Sequence, residues 1–99
     1  MGTYATTDAI INCESVKIAQ KVLAVLEIMG NDKIELNFQF SHLGFSGSSV
    51  DFCLDSGRIQ NLQWQCEQIW DKVKAIKGVL EMDCPFMAQT DGVYRNNFK

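Results

Sequence analysis

Residues 33–56, KIELNFQFSHLGFSGSSVDFCLDS, hold the pattern on which the fold turns. Ile34, Leu36, Phe38 and Phe40 alternate with Glu35, Asn37, Gln39 and Ser41. A period of two sends neighbouring side chains to opposite faces of a sheet, so this run predicts a half-buried strand. Val50, Phe52 and Leu54 alternate in the same way with Asp51 and Cys53. Between the two runs lies SHLGFSGSS, residues 41–49, whose glycines and serines predict a loop. Two alternating runs so joined predict an antiparallel hairpin. The loop displays Leu43 and Phe45 beside the chain's one histidine, His42. In the register of the first strand, Phe40, His42 and Gly44 continue the core-facing series, and Leu43 and Phe45 fall on the polar face. A bulge in this stretch turns Phe45 back to the core. Without one, both residues project as an apolar tip beside an acidic surface. The expectation is a bulge for Phe45 and partial exposure for Leu43.

A helix flanks this hairpin on each side. Before it, Ile18, Ala19, Val22, Leu23, Leu26 and Met29 recur at steps of three and four, with Gly30-Asn31 as the stop. After it, Ile59, Leu62, Cys66, Ile69, Val73 and Ile76 form a second stripe, widened by Trp70 and ended by Gly78. Asp55 or Ser56 is the expected cap of this helix. Farther out, residues 3–12 (TYATTDAIIN) and 79–87 (VLEMDCPFM) read as strands, the first with poor alternation. Pro85 cannot donate to a ladder and predicts an edge or a bulge. The tail, AQTDGVYRNNFK (88–99), is either an extra hairpin arm or a loose segment. AIINCESVKIAQ and DFCLDSGRIQNL each run strand, cap, helix, a repeat of pattern rather than of sequence. The order strand–helix–strand–strand–helix–strand predicts an α+β ferredoxin-like βαββαβ sandwich, a four-stranded antiparallel sheet with two helices on one face. Dropping the weak first strand leaves three strands and two helices as the alternative.

Ninety-nine residues, 46% of them hydrophobic, predict a single domain over 1–99 with its own core. The formal net charge of −3 and the scattering of nine Lys and Arg exclude a general nucleic-acid binder. No apolar run approaches a membrane span, and the N-terminus lacks the basic start and apolar stretch of a signal peptide. Gly2 and Thr6 fit the loose myristoylation pattern, which is read as an ordinary second-codon glycine. Cys13, Cys53, Cys66 and Cys84 contain no CxxC pair, and one histidine stands alone, so no zinc or other metal site is expected. Reduced thiols and a cytoplasmic location follow.

In a sandwich, Glu35, Asn37, Gln39, Asp51, Cys53, Glu81 and Asp83 share the sheet face opposite the helices. Close carboxylates raise one another's pKa and serve as acids or bases, or hold a hard cation. No His, Arg or Lys joins them in this reading, and a reaction needs opposite roles, so solvation or docking is expected over catalysis. Cys13 lies near a helix start without a basic partner and reads as structural. GFSGSS lacks the lysine and spacing of a phosphate loop. Trp64 lies off the helical stripe among Gln60, Gln63, Glu67 and Asp71, where a large aromatic suits an interface. The element order is similar to that of acylphosphatases, but NCES (12–15) after the first strand lacks the Arg and Gly of their phosphate-cradling loop, so their activity is not implied.

The expected function is therefore a small, soluble, non-enzymatic interaction module without a cofactor. It docks through an open acidic sheet face and an apolar hairpin tip on a basic protein partner or a second copy of itself. The expected contact residues are Leu43, Phe45, Trp64, Glu35, Asp51, Glu81 and Asp83. The alternative is a small-molecule or cation-binding domain, enzymatic or not, that uses the same carboxylates.

Overall fold

The computed structural model describes residues 4–31, 40–88 and 92–99. Seven elements follow in order: β1 (Tyr4–Cys13), α1 (Val16–Asn31), β2 (Phe40–Ser46), β3 (Ser49–Arg58), α2 (Ile59–Val73), β4 (Val79–Ala88) and β5 (Gly92–Phe98). The strands make one antiparallel sheet in the order β2-β3-β1-β4-β5. The α+β class stands, but the expectation of four strands does not. Residues 92–98 of the tail pair with β4 from Ala88↔Gly92 to Met82↔Phe98 and become a fifth strand. The alternating run at 33–39, with Glu35, Asn37 and Gln39, lies outside the described residues.

That fifth strand moves β4 into the interior of the sheet, although Pro85 favours an edge. The ladder accommodates the proline locally. Pairing between β1 and β4 passes from Thr7↔Phe86 to Ile10↔Asp83, and Pro85 sits in the gap. There the buried Thr7 donates its hydroxyl to the Pro85 carbonyl at 3.0 Å. One side chain thus satisfies both a buried hydroxyl and a carbonyl beside the missing donor.

One sheet face is apolar and covered by both helices. Ala5, Thr7, Ala9, Ile11 and Cys13 of β1 are buried, and the residues between them are exposed or half-buried. The weak alternation of this strand has a simple cause: its inward positions are small, while Tyr4 and Ile10 face outward, 54% and 44% exposed. From α1, Ala19, Val22, Leu26 and Met29 enter the core, and from α2, Leu62, Cys66, Ile69 and Val73. Each large aliphatic so buried contributes roughly 1.5–3 kcal/mol of transfer free energy before entropy is charged against it.

Local chemistry sets the element ends. Ser15 Oγ accepts the Ile18 amide at 3.4 Å and the Ser15 carbonyl accepts that of Ala19 at 3.0 Å, which opens α1. α2 follows β3 without a loop. Its N-cap is Arg58, with extended backbone and no side-chain cap hydrogen bond, so neither Asp55 nor Ser56, both inside β3, is the cap. α2 closes at Val73 rather than Ile76, with the Lys74 amide donating to the Trp70 carbonyl at 2.8 Å. Gly78, at φ +105°, then turns the chain into β4 against Ile18 of α1. A β-carbon there would stand 2.8 Å from Ile18 Cγ1, so the tight turn and the helix layer both require glycine.

Candidate functional site: the open face of the sheet

The stretch SHLGFSGSS is mostly strand, not loop. β2 occupies Phe40–Ser46, and only Gly47 and Ser48 form the turn to β3. Gly47 adopts φ +61°, as in the two-residue hairpin turns that place glycine first. The register shifts once: Phe40 pairs with Leu54, but His42 pairs with Cys53. Ser41 is the extra residue of a bulge, and its hydroxyl donates to the Cys53 carbonyl at 3.1 Å.

This single insertion reverses every side chain after it. Phe40 stays on the core side, its ring edge-on to Phe52 at 5.5 Å. Leu43 falls opposite Phe52 and Phe45 opposite Val50, so both turn to the helix side. Leu43 packs against the core, whereas Phe45 remains 42% exposed at the hairpin end. The bulge acts on both residues: Leu43 is half-buried, as expected, and Phe45, turned to the core side, is the more open of the two. The apolar tip and the acidic face are therefore on opposite sides of the sheet. His42 and Gly44, expected to point into the core, point to the open face instead.

That face gathers residues from all five strands. Pairing places His42 beside Cys53, Cys53 beside Asp8, Asp51 beside Ile10, Ile10 beside Asp83, Asn12 beside Glu81 and Pro85 beside Arg95. Asp51, Glu81 and Asp83 come together as expected, and β1 adds Asp8. Among the described residues these four carboxylates stand against Arg95 on β5 and Arg58, which pairs with outward-facing Tyr4 at the far end of β3, so the face carries an excess of negative charge. Ile10 and Met87 lie exposed on the same surface, 44% and 48%.

Each carboxylate has a partner. His42 Nε2 lies 3.1 Å from Asp51 Oδ2. A β-carbon at Gly44 would stand 3.4 Å from Nε2, in ordinary contact with that imidazole. Asn12 Nδ2 donates to Glu81 Oε1 at 3.0 Å. Arg95 Nε approaches Asp83 Oδ1 at 3.3 Å, an ion pair without the alignment of a hydrogen bond. Cys53 Sγ donates to Asp8 Oδ1 at 3.2 Å. Desolvation, that hydrogen bond and the charges of Asp8 and Asp51 push the Cys53 thiol up to about 11. A thiol so held stays protonated at neutral pH, the reverse of an activated nucleophile.

The expectation that no base joins the carboxylates is corrected: His42 and Arg95 both do. The bulge hid His42, and Arg95 arrived with an unassigned tail. Residues 93–97, VYRNN, do not alternate polar with apolar side chains, so nothing in their spacing pointed to Arg95.

The other candidates lie elsewhere. Trp64 is 45% exposed and, at 100° per residue, sits opposite the buried stripe of α2, behind the helix layer rather than on the sheet face. Glu35 lies outside the described residues. Cys13, Cys66 and Cys84 are buried free thiols. Burial raises the Cys13 pKa, so the helix start does not activate it. A hydrogen bond with Cys66 and then burial raise that of Cys84. Among the described residues no three His, Cys, Asp or Glu are grouped to hold a metal ion, and no helix is long and apolar enough to cross a membrane. Compared with protein-family models, with curated proteins and with solved structures, the chain matches none.

Proposed function

We propose that this chain is a small interaction module that docks the open face of its sheet on a basic protein. The observation that carries the reading is the gathering of Asp8, Asp51, Glu81 and Asp83 on one face, around exposed Ile10 and Met87. Such a surface offers an apolar centre with a charged surround, the anatomy of a non-obligate interface. Opposite potentials steer encounter and fix orientation. Like charge disfavours a second copy face to face. The paired carboxylates suit docking better than chemistry, because each is already oriented and Cys53 is held as a thiol. We further read β1–β4 with α1 and α2 as a ferredoxin-like sandwich to which β5 is added, on the strength of strand order and of helices sharing one side. The free thiols suit a reducing, cytoplasmic setting.

The test is a titration with a lysine-rich amphipathic helical peptide, followed by amide chemical-shift mapping at two salt concentrations. Shifts centred on Asp8, Ile10, Asp51 and Asp83 that weaken with salt are expected. Perturbations confined to α1 and α2, or no binding at low salt, would overturn the reading.

A further inference from the structure

The two strands at the ends of the described sheet are built differently. β2 carries the Ser41 bulge, a device that spoils a strand as a template for further pairing. β5 has no such protection. It pairs with β4 residue for residue from Gly92 to Phe98 without a register shift, and it contains no proline. Its one charged side chain, Arg95, is turned to the open face beside Asp83. Among the described residues β5 ends the sheet, so one row of its backbone donors and acceptors has no ladder partner there.

We propose that β5 pairs antiparallel with β5 of a second copy, about a two-fold axis at Asn96. An axis perpendicular to the sheet must pass through a residue pair, because directly opposed residues share a face. Centring on Arg95 opposes two arginines, which is unfavourable across an antiparallel pair. Centring on Tyr94 shortens the overlap and leaves Phe98 outside it. Centring on Asn96 sets Tyr94 opposite the second copy's Phe98, Arg95 opposite Asn97, and the two Asn96 amides against each other. Tyr94 and Phe98 share the helix side, where Phe98 already packs on Trp70 at 5.9 Å. Tyr94, 44% exposed in the single chain, extends that aromatic row in the pair. The arrangement also keeps the two acidic faces side by side in one continuous sheet rather than pressed together. It is independent of the docking reading and leaves both open faces free.

The experiment is light scattering over a concentration series in 0.5 M salt, on the wild type and on Tyr94→Lys, with thermal melts of both. The wild type is expected to dimerise, and Tyr94→Lys to weaken the dimer by about tenfold or more without changing the melt of the dilute monomer. Asn96→Cys, mildly oxidised, is expected to give a cross-linked dimer, while Asn97→Cys and the wild type do not. A wild type that stays monomeric at the highest concentration overturns the proposal. Equal cross-linking at positions 96 and 97 does so too, as does a dimer that Tyr94→Lys leaves intact.

Discussion

The two faces of this sheet are made from the same strands and obey different rules. On the covered face, Phe52, Phe86, Met82 and Ile11 are fully buried, and the side chains meet helices. Removing any of them leaves a hole that close-packed neighbours fill poorly. On the open face, the side chains meet one another in pairs: His42 with Asp51, Cys53 with Asp8, Asn12 with Glu81, Arg95 with Asp83. Water competes for the exposed His42–Asp51 and Cys53–Asp8 contacts, which are worth little to stability, while the Asn12–Glu81 bond is half-buried and Asp83 Oδ1 is shielded from solvent. The covered face holds the fold together. The open face is free to vary its chemistry, and that is where a partner's recognition can reside.

The comparison breaks if the two faces respond alike to substitution. The largest expected effect is on the covered side. Phe86→Ala should cost about 3–5 kcal/mol, read from chemical denaturation, a large part of the stability of a domain this size. A smaller loss would mean that the helix layer closes over the cavity. Gly78→Ala comes next, at roughly 1–3 kcal/mol, because a side chain is strained at φ +105° and meets Ile18. Gly47→Ala should cost less than Gly78→Ala, since its β-carbon meets nothing within 4 Å.

The open face is tested through reactivity. Alkylation of Cys53 should be slow at neutral pH and accelerate as the pH climbs toward its raised value near 11. Asp8→Asn removes the charge that favours the thiol and leaves a weaker, neutral acceptor, so labelling at pH 8 should quicken. The sign for stability follows from the same shift. Cys53 is protonated in the folded chain at a pH where an ordinary thiol, near 9.0, has ionised, so its contribution is intact below that range and is lost as the pH rises through about 11. Unaltered labelling kinetics in Asp8→Asn would show that burial alone holds the thiol. The smallest expected change is that of Asp83→Asn, under about 1 kcal/mol, because the Arg95 side chain of this ion pair is 65% exposed.

Element types were largely legible. The stripes of α1 and α2, the strands β3 and β4, and the inward set Val50, Phe52 and Leu54 follow from periods of 3.6 and two. The acidic trio Asp51, Glu81 and Asp83 was legible for the same reason. Asp8 was not, because β1 buries Ala5, Thr7 and Ala9, which carry little hydrophobic signal. The start of α2 was missed because β3 runs straight into the helix at Arg58, with no side-chain cap hydrogen bond to mark it.

What the sequence by itself determined is the kind of element and which of its sides is apolar, since both depend on spacing within a short segment. Three matters were left to the tertiary structure: the reversal of β2 at Ser41, the seat of β5 beside β4, and the arrival of His42 and Arg95 among the carboxylates. Each depends on which residues of two strands lie opposite one another. That choice is made by pairing across the sheet, where one inserted residue exchanges the faces of everything beyond it.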